Sequence, residues 1–337
     1  MSIQRISALL SLSLLSSPIV LSGTPQHQSP SSSVRSAQRS MKYRLAEAPQ
    51  LQPMGTYVGE LQERWQFPSD HLPIGMTLDG IHITSWNVLD ADYMSWVTEK
   101  DSQGLKRSLI AEEHVYIGDS QLTVRDRHVV QLLTAMISHP THPRSLLSLQ
   151  ECNQPFLAEL RSALPSHFTV IAHGGEAVVI DQNQFEIVDA KAIEGIYSVN
   201  PARTFQDITL RRLDTQETMR ILNAHVPGDP QGPARYEFAQ YLAKTHQSMT
   251  TVAMGDMNFN ELEMADAVEQ AFQQSPYTIY SPYCTNISVK QAIEPLTTKA
   301  IDHFLVSTDK KGELLSAEEV LLGLEETYQL LNPLSAE

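Results

Sequence analysis

Short apolar runs that each stop at a polar residue dominate this chain. HITSWN closes at Asn87, LLSLQE at Glu151 and ILNAH at His225. TVAMG leads into the GDMN that holds Asp256 and Asn258, and AIDHFLVS carries Asp302 inside it. Runs this short are too brief for free-standing helices and fit buried strands. Residues 72–78 and 81–87 are two such runs joined by Asp79-Gly80, a pair that tolerates the positive φ of a tight hairpin turn. Further strands are expected at 145–150, 168–172, 177–181, 185–190, 205–210, 219–225, 250–254 and 301–307. Helical spacing marks 125–138, through Val129, Leu132, Leu133 and Met136, and also 154–164 and 233–244. Many strands with interspersed helices and no regular βαβ repeat point to an α/β class, a layered sandwich with mixed sheets.

The 337 residues allow one large domain or two small ones. A formal charge of −15 excludes a protein that coats nucleic acid through a basic face. Local basic spots at Lys106-Arg107, Arg125-Arg127 and Arg211-Arg212 read as solvated faces or helix ends. Two cysteines, Cys152 and Cys284, are too few for a disulfide framework, and Cys152 reads as a buried free thiol. No apolar stretch reaches the ~18 residues of a spanning helix. Residues 1–45 form a leader followed by a Ser/Pro/Gln-rich linker, and the globular domain is expected over 46–337. The leader fits a secretory signal, with another export leader or a start at Met41 as alternatives. Export is expected if it acts as a signal, and a cytoplasmic location otherwise.

The polar residues at the strand ends share one chemistry. Asp70 and His71, in SDHLP, belong with them. Hydrolysing a phosphodiester needs a hard cation, and a carboxylate such as Glu151 supplies the oxygen that Mg²⁺ prefers. A water must lose a proton, which suits Asp256. Charge grows on the phosphate oxygens, so the amides of Asn87 and Asn258 and the imidazole of His225 are suited to meet it. Asp302 can orient and charge the imidazole of His71. Taken singly, each of these residues is a common turn or capping residue.

Together, SWN, LQE, NAH, GDMN, AIDH and SDHLP resemble the motif set of the endonuclease/exonuclease/phosphatase superfamily, over most of residues 60–310. The resemblance implies a four-layered α/β sandwich of two mixed sheets flanked by helices. In that family the Ser-Asp-His motif comes last, whereas here Ser69-Asp70-His71 comes first, which reads as a circular permutation. Ser85-Trp86-Asn87-Val88-Leu89 with Asp92-Tyr93, and Gln66 to His71, are similar to segments of nocturnin-type deadenylases.

The resemblance implies Glu151, Asn87 and Asp70 for the metal, Mg²⁺ or alternatively Mn²⁺. It implies Asp256 for the water, and Asn87, Asn258 and His225 for the phosphate. It pairs Asp302 with His71. Leu89 and His303 depart from the usual pattern, and Asp90 stands one position beyond the place of a second carboxylate. The implied activity is phosphodiester hydrolysis by a monomer, on RNA or a small adenine-containing phosphate. Inositol or lipid phosphates are the alternative, and an inactive binding module is a second alternative. Candidate substrate loops are 90–126, 194–203 and 273–299, with Tyr93, Trp96, Tyr197, Phe205, Tyr277, Tyr280 and Tyr283 able to stack on a ring.

Overall fold

The computed structural model describes residues 68–93, 117–118, 121–139, 143–228, 232–272, 274–281, 300–307, 309–315 and 320. All of them lie in the compact unit Arg44–Glu337. The expected leader and linker, Trp96, Tyr283 and Cys284 fall outside the described residues. No helix among the described residues is long and apolar enough to cross a membrane.

The first expected hairpin is present. Strands β1 (Ile74–Leu78) and β2 (Ile81–Asn87) pair antiparallel, and Asp79 and Gly80 turn the chain with φ of 49° and 78°. Strand β3 (Leu146–Gln150) runs parallel to β2. Then β5 (Glu176–Asp181) and β4 (Phe168–His173) extend the sheet, and β12 (Gly312–Leu314) closes its other edge. The second sheet is ordered β10 (Tyr277–Tyr280), β11 (Asp302–Ser307), β9 (Thr250–Asp256), β8 (Thr218–His225), β7 (Phe205–Arg212), β6 (Phe185–Ile193). In each sheet one parallel pair, β2 with β3 or β8 with β9, sits among antiparallel neighbours.

Helices α1 (Val124–Ile137) and α2 (Gln154–Ala163) pack together and bury Val129, Leu133, Phe156 and Leu160 in the core of the first sheet. Helices α3 (Pro233–Thr245) and α4 (Glu261–Phe272) pack together on the second sheet, where Phe238 meets Phe205 of β7 edge to face. The result is the four-layered sandwich of two mixed sheets flanked by helices.

Three elements differ from the expectation. Residues 277–280 form β10 inside what reads in sequence as a loop, and α4 and β12 carried no sequence signal. The buried face of α4 is Met264, Ala265, Ala267 and Val268, and β10 and β12 are only four and three residues long. Tyr197, Phe205, Tyr277 and Tyr280 are buried, so they are packing residues and not stacking platforms.

The sheets are fastened by polar groups as well as by apolar contact. The Asn223 amide nitrogen on β8 lies 3.0 Å from the carbonyls of Leu149 and Ala177 in the first sheet and 2.9 Å from Gln206 Oε1 in its own. Its oxygen accepts from Ser148 Oγ and Gln150 Nε2, each at 2.8 Å. Replacing it with leucine strands several of these groups in a dry interior, at about 1–3 kcal/mol each. Asn223→Leu is therefore expected to lower unfolding free energy by roughly 3 kcal/mol or more in denaturant titration. A loss below about 0.5 kcal/mol would show that the network does not tie the sheets.

Candidate active site

The topology gathers the strand-end residues at one edge. Parallel β2 and β3 both end there, delivering Asn87 and Glu151. Parallel β8 and β9 end there too, with His225 opposite Asp256. Strands β1 and β11 are antiparallel to their neighbours, so their beginnings reach the same edge with His71 and Asp302, and Asp302 sits in register with Asp256.

Local backbone fixes each group. A Cβ at Gly255, whose φ is 138°, would lie 1.9 Å from the Ala224 carbonyl oxygen, so β9 approaches β8 this closely only without a side chain. Glu151 adopts φ 59° and Asn258 φ 55°, a left-handed conformation that asparagine accepts and glutamate resists. Arg125, buried in the first turn of α1, donates to the carbonyls of Pro68 at 2.8 Å and Val88 at 2.7 Å. It thereby clamps the segment before His71 to the segment after Asn87. Ser69 Oγ donates to the Asn87 carbonyl at 2.7 Å, and the Trp86 indole donates to the His71 carbonyl at 2.9 Å.

Asp256 is the hub. Its Oδ2 accepts from the Asn87 amide at 3.1 Å and lies 3.6 Å from His71 Nε2 and 3.5 Å from His225 Nε2. Its Oδ1 accepts from the Asn258 backbone N–H at 2.9 Å. Burial, set against the attraction of His71 and reinforced by Asp302 and Glu151, pushes its carboxyl up to about 7. Glu151 Oε1 accepts from the same Asn87 amide at 2.9 Å, and burial raises this carboxyl as well.

The two imidazoles differ. Burial alone would lower His71, but Asp302, Asp256 and Asp70 outweigh it and hold the ring well above its ordinary value, hence as imidazolium. Its Nδ1–H faces Asp302 Oδ2 at 2.9 Å. Burial, Arg203 and His71 push His225 well below its ordinary value, so it is neutral. An Arg203 guanidinium nitrogen lies 2.6 Å from His225 Nδ1. Arginine only donates, so Nδ1 accepts and the proton sits on Nε2, aimed at Asp256 and Glu151.

The donor set fits a divalent cation. Carboxylate oxygens of Glu151 and Asp256 lie within 4.8 Å of each other, with His225 Nε2 in the same cluster and His71 and Asp302 in a second one around Asp256. His71 as imidazolium and His225 with its proton on Nε2 offer no lone pair there, so the carboxylates are the ligands. Glu151 and Asp256 share one amide donor and burial raises both carboxyls, a desolvation cost that a hard cation on their oxygens would relieve. Asp70 is half-buried and its charge acts on both His71 and Glu151, but it lies outside these clusters. Asn258 gives its amide nitrogen to the Val226 carbonyl at 2.9 Å, beside Asp256. His303, the departure from tyrosine, faces away from the cluster. It is buried between Ser281 Oγ at 2.5 Å and the Phe259 carbonyl at 2.7 Å.

Sequence reasoning missed Arg203, Glu176 and the Arg125 clamp. Arg203 and Glu176 line an open cleft with Glu151, Asp90, Tyr93 and Asn200. Arg203 stands at the end of an expected loop and Glu176 just before an expected strand, so neither closes an apolar run.

No protein-family profile matches this chain, and no curated protein matches it. Among solved structures, an endonuclease/exonuclease/phosphatase from Bacteroides vulgatus is 13% identical, with 70% of this chain and 87% of that one covered and a TM-score of 0.46. A mannosyl-6-phosphatase of Bacteroides thetaiotaomicron is 15% identical, with 68% and 85% covered and a TM-score of 0.46. ANGEL2, a 2′,3′-cyclic phosphatase, is 12% identical, with 75% and 89% covered and a TM-score of 0.48. They include a protein of the superfamily whose motifs this sequence resembles. At these identities the activities remain those of the proteins named.

Glu176 makes a pH prediction. Burial, partly offset by Thr204 and Arg203, raises its carboxyl from 4.5 to about 7. The folded chain then binds this proton more tightly than the unfolded chain, so stability falls as pH rises from about 4.5 to about 7. The effect is on the order of 3 kcal/mol at most. Glu176→Gln should lack this slope in denaturant titrations across that window. Parallel profiles for the two proteins would remove this account of Glu176.

Proposed function

We propose that this chain is a phosphoester hydrolase of the endonuclease/exonuclease/phosphatase superfamily, dependent on a divalent metal ion. The observation that carries the reading is Asp256, a buried carboxylate within 3.6 Å of the Asn87 amide and of both imidazoles. A carboxyl with a pKa near the working pH suits a general base. Glu151 and Asn87, with Asp70 nearby, would hold the cation, Mg²⁺ or Mn²⁺, which when bound neutralises phosphate charge.

Each residue then has one task. Asp256 takes the proton of a water as its oxygen attacks phosphorus, and the phosphorus–oxygen bond to the leaving group breaks in line. The Asn258 backbone N–H holds Asp256 in place, and the Asn258 side chain stands beside the phosphate. His225, neutral with its proton on Nε2, donates to a phosphate oxygen. His71, charged and oriented by Asp302, faces the charge that grows in the transition state.

The segments around Asn87 and Ser69 support a nuclease or deadenylase, acting on RNA or a small adenine-containing phosphate. Inositol or lipid phosphates are the second reading. The run Thr298-Lys299-Ala300-Ile301-Asp302-His303 differs from the Pro-Ala-Trp-Cys-Asp-Arg-like run expected of inositol phosphatases. An inactive binding module would not be expected to keep all of Asn87, Glu151, His225, Asp256, Asn258, Asp302 and His71.

Hydrolysis of an oligoadenylate RNA, a plasmid DNA, an inositol polyphosphate and a sphingomyelin, with Mg²⁺ or with chelator, tests the reading. At least one should turn over with Mg²⁺ alone. Asp256→Ala should slow it by roughly 10²–10⁴-fold, and Glu151→Gln should weaken the metal response. An unchanged rate in Asp256→Ala would refute the mechanism.

We propose further that the chain order is circularly permuted. The Ser69–His71 motif enters β1, and the turn at Asp79-Gly80 fuses β1 to the Asn87 strand, where the family order has its last and first strands. A chain opened between Asp79 and Gly80, with residue 337 linked to residue 46, should fold and keep its activity. If it fails to fold, this account of the topology fails.

A further inference from the structure

The site so far reads the phosphate and leaves the rest of the substrate unassigned. Beside it lies the open cleft, of roughly 270 Å³, which shares Glu151 with the metal-binding groups and Arg203 with His225. Gly174 and Gly175 are part of its lining. A Cβ at Gly174, whose φ is +64°, would meet Thr204 Oγ1 at 2.3 Å and Glu176 Oε2 at 3.0 Å. Only glycine there leaves the Glu176–Thr204 pair standing on the cleft wall.

Glu176 is 1% exposed. Its Oε2 accepts from the Thr204 hydroxyl at 2.9 Å and the Gly175 N–H at 3.2 Å. Its Oε1 is buried and has no hydrogen-bond partner among the described residues. Leaving a buried carboxylate oxygen without a donor destabilises a fold. Glu176 lines the cleft, and a small rotation of its side chain would bring this oxygen to a ligand there.

We propose that this cleft is the subsite for the sugar or polyol that carries the scissile phosphate. Glu176 is its specificity-determining residue, through a hydrogen bond with one of the ligand hydroxyls. The proposal rests on the phosphoesterase reading.

The lining decides the chemistry. A second phosphate is disfavoured, because among the described lining residues the carboxylates of Asp90, Glu151 and Glu176 face one cation, Arg203, already engaged with His225. An ammonium group would be drawn by the three carboxylates and repelled by that guanidinium and by any cation held on Glu151, so phosphocholine is the probe for that alternative. A hydroxyl both donates and accepts, so it can partner Oε1 whether Glu176 is ionised or protonated. The half-exposed ring of Tyr93 gives the cleft an apolar face, as sugar sites use.

Binding tests this apart from catalysis, with Ca²⁺ replacing Mg²⁺ to limit turnover. The full chain and its Glu176→Ala and Glu176→Gln variants are titrated with matched pairs. An oligoadenylate against its deoxy counterpart reports a nucleic-acid sugar. A hexose 6-phosphate against a deoxy analogue reports a free sugar phosphate. Phosphocholine and inorganic phosphate complete the set.

In at least one pair, the hydroxyl-bearing ligand should bind about tenfold or more tightly in the wild-type chain. Glu176→Ala should erase that preference, Glu176→Gln should retain part of it, and inorganic phosphate should bind all three alike. A ratio within one protein is insensitive to partial unfolding. No preference in either pair, a preference that survives Glu176→Ala, or a Glu176-dependent preference for phosphocholine would each overturn the proposal. Turnover with Mg²⁺ is read separately. Turnover without hydroxyl preference sinks the sugar subsite alone, and hydroxyl preference without turnover sinks the hydrolase reading alone.

Discussion

The amide of Asn223 joins the two sheets immediately behind the site, and the site's geometry depends on that join. Asn223 stands two residues before His225, and its partner Gln150 stands one before Glu151. Each sheet contributes half the cluster: Asn87, Glu151 and His71 from one, His225, Asp256 and Asp302 from the other. Apolar packing would hold the sheets together but not in one register, since apolar contact has little directionality. Hydrogen bonds from one amide to both sheets restrict sliding, and a cluster with spacings near 3 Å tolerates little of it.

The same edge carries stored cost. Glu151 sits in a left-handed conformation that an L residue other than glycine or asparagine adopts at a loss, of order 1–2 kcal/mol. It faces Asp256 across a shared amide, and burial raises the pKa of both carboxyls. Residues chosen for stability alone would be apolar here. The surrounding structure offsets the cost locally. Asn87 serves both carboxylates, His71 brings a positive charge, and Arg125 locks the two backbone segments that carry them.

Much of this was legible in the sequence, and the reason is physical. A strand buried on both faces writes an uninterrupted apolar run, so the residue that ends it is conspicuous. Asn87, Glu151, His225 and Asp256 stood out that way and Asp302 as a charge inside such a run, and the structure brings them together. The Asp79-Gly80 hairpin was equally plain, because few pairs accept two positive φ angles. Arg203 and Glu176 were not legible. Their place in the cleft comes from β5 of one sheet facing β7 of the other, where Thr204 donates to Glu176, and neither interrupts a hydrophobic pattern.

The charge pattern bears on how a substrate is held. The described arginines that looked like local basic spots are all engaged. Arg125 is buried against Asp126 and backbone carbonyls, and Arg127 pairs with Glu159. Arg211 pairs with Glu186, and Arg212 with Asp214. The exposed pairs add little stability, but each masks a cation that a phosphate chain could otherwise use. On a chain of net charge −15, this leaves no run of free cations on the described surface for tracking a polymer. The attraction for an anion is concentrated instead where a metal ion would sit, beside Arg203 and His71. Under the proposed function, the described surface fits a substrate gripped at one phosphate and at the group next to it. That is also the arrangement the cleft beside Glu151 offers.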